Sequence, residues 1–103
     1  MAVLARDGIN EDLIQAASPT GTTQAITTSG SSTASSAFGA NTRLVRIVAT
    51  EDVNIQFATS PTATTSTPFI PKNAVEYFKV TGGEKVAVIQ NTTAGTCYVT
   101  EME

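Results

Sequence analysis

Nine carboxylates and one thiol are the groups in this 103-residue sequence with a capacity for acid–base, nucleophilic or metal chemistry, and histidine is absent. Without an imidazole there is no Ser-His-Asp or Cys-His pair to activate a nucleophile and no imidazole ligand for a metal. Cys97 stands alone, so it can neither close an internal disulfide nor build a thiolate zinc site. It lies in an apolar-rich stretch, where a buried, unpaired and inert thiol is expected. Among the carboxylates, Glu51 and Asp52 are adjacent on a polar turn, and neighbouring side chains there diverge. Asp7, Gly8, Ile9, Asn10, Glu11 and Asp12 echo a calcium loop only loosely, because the alternate-position ligands and the terminal Glu in register are missing. Solvated turns are the expectation for both. Gly82-Gly83 precedes a strand rather than opening a helix, so it is a hairpin turn and not a phosphate cradle. Asn91-Thr92-Thr93 has the form of a glycosylation sequon, but with no secretory signal it reads as a turn. No catalytic, cofactor-binding or metal-ligating residue emerges, and the expectation is a protein that is not an enzyme.

Two further classes are disfavoured by composition. Six Lys and Arg in a chain of net charge −3 cannot supply the basic stripe that neutralises phosphates, so nucleic acid is not expected as a partner. No apolar run approaches the ~18 residues needed to span a bilayer, and no membrane partner is expected. The opening Met1–Arg6 lacks the basic start and long apolar stretch of a signal peptide, so synthesis in a cytoplasm is expected. A sugar-binding face usually needs exposed planar rings, and the chain has no Trp. Tyr77 and Tyr98, if both face outward, are the sole sequence support for that role. They read more simply as core-edge residues with hydroxyls reaching solvent or a neighbour.

The elements that would position these groups are strands. Charged residues make up only 15%, while 18 Thr and 8 Ser fill the gap, a composition suited to sheets and close contacts between subunits. Thr22–Thr28 reads as a first strand, and Ser29–Ser36 as an ordered loop or edge strand. Arg43–Thr50 places Val45, Ile47 and Ala49 on one face and Leu44 and Val48 on the other, the pattern of a strand covered on both sides. Val53, Ile55 and Phe57 alternate with Asn54 and Gln56 in a half-buried strand, joined to the previous one as a hairpin. Thr59–Pro71 holds three prolines and cannot be a central strand; Phe69 and Ile70 are expected to tuck it onto the core. Further strands run over Val75–Thr81, Lys85–Gln90 and Thr96–Glu101. About six strands with turns roughly every 8–12 residues predict an all-β fold, a small jelly-roll-like β-sandwich or a partly open barrel. Its core should draw on Ile47, Val53, Ile55, Phe57, Phe78, Val86 and Val88.

Residues 1–20 differ, reading as an extended N-terminal arm ahead of a sandwich domain over 21–103. Asn10 is placed to cap one helical turn carrying Leu13, Ile14 and Ala17, before Ser18-Pro19-Thr20-Gly21 ends it. Leu4, Ile9, Leu13 and Ile14 are too apolar for a solvated tail and too few to bury themselves, so they are the expected partner-binding residues.

One pattern runs through most of the chain. It begins in Ser35–Thr50, with Phe38-Gly39-Ala40-Asn41-Thr42-Arg43 leading into the strand. It continues through Val53–Phe57, Pro61–Thr64, Val75–Val80, Gly83–Gln90 and Gly95–Glu101. The rhythm resembles that of small accessory virion proteins encoded beside capsid genes in tailed phages, over roughly residues 22–101. The resemblance implies a β-sandwich head-decoration, or cement, subunit without catalytic residues or cofactors. It further implies the major capsid protein and other copies of the chain as partners, as a homotrimer on the capsid surface of the virion.

Overall fold

The structure, a computed structural model, describes residues 22–102 together with two short strands ahead of them. Those two, β1 (Ala5–Arg6) and β2 (Leu13–Ile14), pair antiparallel, with Ala5 opposite Ile14 and Arg6 opposite Leu13. They join neither of the other sheets. The turn of helix expected at Leu13 and Ile14 is therefore a strand, in keeping with the cost of nucleating so short a helix in water.

Eight strands follow, numbered along the chain. They are β3 (Thr23–Thr27), β4 (Thr33–Ala34), β5 (Leu44–Ala49), β6 (Val53–Ala58), β7 (Phe69–Ile70), β8 (Glu76–Lys79), β9 (Lys85–Gln90) and β10 (Thr96–Met102). The first sheet runs β3-β10-β5-β8 and the second β4-β9-β6-β7, with every pairing antiparallel. Only β6 and β7 are consecutive strands sharing a sheet; every other connection along β3 to β10 passes from one sheet to the other. This is the jelly-roll form of the β-sandwich. The two sheets stay separate, so the barrel alternative is set aside.

That topology corrects both expected hairpins. β5 and β6 lie in different sheets, as do β8 and β9. A two-residue hairpin turn requires φ > 0 at its first central residue, which Asn-Gly or Gly-X supplies and Glu51-Asp52 does not. At Gly82-Gly83 the amide of Glu84 donates to the Thr81 carbonyl at 3.1 Å, and only Gly83 has positive φ, at 87°. Those are the marks of a type II turn, whose twist splays strands apart instead of pairing them. The count of about six strands was short by β4 and β7, each of two residues and too brief to show a period.

The core lies between the sheets. Ile47, Val53, Ile55, Val86 and Val88 are buried there as expected, joined by Val45, Cys97 and Val99. Phe57 and Phe78 are only partly buried. Phe57 packs between Phe38 and Phe78, with centroids 6.4 and 5.3 Å away.

The outer faces of the two sheets differ. On the second, the β6–β7 loop crosses the strands as a strap: the Ala63 amide donates to Ser32 Oγ at 2.9 Å, beside the far edge strand. Asn54, expected to face solvent, is buried beneath this strap. It donates from Nδ2 to the Thr67 carbonyl at 2.7 Å and accepts from Asn91 Nδ2 at 3.0 Å. Ile70 is buried, but Phe69 points outward and is 50% exposed, so only one of the two tucks in. Register decides this: Phe69 stands opposite Asn54 on the outer face, and Ile70 opposite Val53 on the inner. The first sheet has no such strap among the described residues.

Candidate functional site

Three of the carboxylates are occupied as fasteners. Asp52 Oδ1 accepts the Lys72 amide at 2.8 Å, tying the corner after β5 to the β7–β8 loop. Glu84 Oε1 accepts the Thr81 amide at 2.8 Å and braces the type II turn. Glu101 Oε1 accepts the Gly39 amide at 2.8 Å and the Thr42 hydroxyl, pinning the loop before β5 to β10. Glu51 does not join Asp52 in a shared site; its side chain packs where a Cβ on Gly95 would sit. Among the described residues no three of Asp, Glu and Cys gather closely enough to hold a metal ion. The sequon residue Asn91 spends its amide on Asn54. Cys97 is free and buried, and desolvation pushes its thiol up to about 12.

What remains partly open is the outer face of the first sheet, where Thr100 and Met102 are buried and two tyrosines are exposed. Residues directly opposite each other across an antiparallel pair share a face. Tyr98 stands opposite Ala25 on one side and Val48 on the other; Thr100 stands opposite Thr23 and Arg46, and Arg46 opposite Tyr77. Met102 faces Leu44, which in turn faces Lys79. Both tyrosines thus share one outward face, Tyr77 55% and Tyr98 40% exposed, set diagonally across β5. At strand spacing the face measures roughly 14 by 20 Å. Its charges are Arg46 and Lys79, with no carboxylate in these rows. The hydroxyls of Thr23 and Thr100 meet at 3.0 Å.

Sequence reasoning found the tyrosines but not their company. The signal was present in Arg43–Thr50, whose two apolar faces imply cover on both sides. In the single chain only the Val45, Ile47 and Ala49 side is buried, and Leu44 and Val48 are half-exposed on the other. Of the expected partner-binding residues, Leu4 and Ile9 lie outside the described residues. Leu13 and Ile14 are placed together in β2. The candidate site is the outer face of one sheet of a jelly-roll sandwich. Compared with protein-family models, curated proteins and solved structures, the chain finds no match.

Proposed function

We propose that this protein is a non-enzymatic structural subunit of a tailed-phage particle, carried on the outside of the capsid as a decoration or cement protein. The observation that carries this reading is the use of Asp52, Glu84 and Glu101 to fasten backbone amides. Groups that an enzyme would keep free for substrate serve here to stiffen loops. The jelly roll itself is an architecture of capsid and lectin domains. A cement subunit needs only modest interface energy per copy, because attachment at symmetric sites is multivalent. Its partners in this reading are the major capsid protein and two further copies of itself. Leu4, Ile9, Leu13 and Ile14 serve as the docking residues of the arm. Synthesis takes place in the host cytoplasm.

Immunogold labelling of purified particles with antibody to this chain tests the location. Label distributed over the head supports decoration. Label confined to the tail, neck or a head fibre would replace it with the alternative structural role. Turnover of any substrate that is lost when a single Asp or Glu is neutralised would overturn the non-enzymatic reading.

The shared outward face of Tyr77 and Tyr98 favours a second reading, a sugar-binding module. A glycan array with the isolated protein decides it: binding that disappears in Tyr98→Ala supports the module, and a blank array removes it.

A further inference from the structure

We infer that the outer face of the β3-β10-β5-β8 sheet receives the N-terminal arm of a second copy of this chain. The inference rests on the reading of the arm as a docking segment and assigns the surface that takes it. Three observations converge on that occupant. First, among the described residues no loop straps this face, and although Thr100 and Met102 within it are buried its tyrosines stay open, whereas the opposite sheet is crossed by the chain's own β6–β7 loop. Within one chain Tyr77 and Tyr98 stay 55 and 40% exposed. Second, β1 and β2 form a two-stranded sheet joined to neither layer of their own sandwich, and a lone hairpin is at best marginally stable in water. It needs a surface to lie on. Third, the charges match. The face presents Arg46 and Lys79, while the arm carries Asp7, Glu11 and Asp12 against Arg6, a side-chain balance of −3 + 1 = −2.

Reach permits the exchange. Residues 15–21 separate β2 from Thr22, and a chain of that length extends up to roughly 28 Å, more than the width of the sheet. Thr22 accepts the Glu101 amide at 3.0 Å at the β3 edge, so the arm departs from the border of the face and can cross to a neighbour's. A ring of copies exchanging arms head to tail closes without leaving an unfilled face.

Two charge reversals in the full chain test this by sedimentation equilibrium. Arg46→Glu with Lys79→Glu makes the face acidic, and Glu11→Lys with Asp12→Lys makes the arm basic. The wild type is expected to self-associate below roughly 100 μM, each variant alone to associate about tenfold or more weakly, and an equimolar mixture of the two to reassociate. In the mixture each arm meets a face of opposite sign, which only exchange between chains provides. Tyr77→Ser with Tyr98→Ser, at exposed positions where folding is not at stake, should weaken association as well. A monomeric wild type, variants that associate as the wild type does, or a mixture that stays apart would each overturn the inference. None of these would bear on whether the protein decorates heads, which the labelling of particles reads separately.

Discussion

Cys97 shows how far a single side chain depends on its surroundings. Its thiol is fully enclosed between the sheets, and burial raises its pKa from 9.0 to about 12. In the unfolded chain the same group ionises near its ordinary value. Between those values the unfolded state has released a proton that the folded state retains, so stability falls with rising pH, by about 1.4 kcal/mol per pH unit for one group. The contribution is intact below pH 9.0 and is gone once pH passes about 12. Cys97→Ala should therefore show a shallower loss of stability than the wild type in denaturant titrations across that window, and native protein should resist thiol reagents. Packing sets the next scale of cost. Ile55 is fully buried in the core, and Ile55→Ala should cost about 3–4 kcal/mol in urea unfolding. Phe57 is only partly buried at the aromatic end, so Phe57→Ala should cost less, about 2–3 kcal/mol. The inward positions of β5, β6 and β9 were readable from alternation alone. Asn54 and Phe69 were not, because their environments are decided by a loop that alternation does not describe.

At the scale of elements, the turn between β8 and β9 separates two kinds of glycine. A Cβ on Gly82 would sit 2.2 Å from the Ala40 carbonyl oxygen, a backbone atom that cannot swing away. Gly83 has open space around it but a φ of 87°, unfavourable for any side chain. Gly82→Ala should thus cost several kcal/mol and Gly83→Ala about 1–2 kcal/mol, with Gly30→Ala near neutral because nothing lies close to it. Thermal melts of the three variants give the order. The long strands were legible because period-two burial leaves its mark on residue types, as in Val45, Ile47 and Ala49. Their partners were not. Pairing along a jelly roll is settled by which strand returns to which sheet, and Glu51-Asp52 and Gly82-Gly83 mark a change of direction without saying whether the chain stays in its layer.

For the whole molecule, the core cluster between the sheets runs, among the described residues, from Ile26 to Val99. Removing residues 1–18 should leave the melting temperature within a few degrees of the full chain while weakening attachment to particles or to other copies. Undiminished decoration by the truncated protein would reduce the arm to a tail. The outer face of the first sheet was half legible: β5 announced cover on two sides, but the rows that bring Arg46 and Lys79 beside the tyrosines exist only once β8, β5 and β10 are assembled. That assembly has an order in time. β10 is the last strand of the sandwich to be synthesised, yet it occupies an interior place in the first sheet, between β3 and β5. Until Thr96–Met102 has emerged, β3 has no neighbour and Val45, Ile47 and Ala49 lie beside an open slot. Closure therefore waits for the end of translation of this domain, and the incomplete chain presents unpaired strand edges to its surroundings. Nascent chains stalled before Thr96 should be digested by protease as readily as unfolded protein, with resistance arriving in one step once β10 is released.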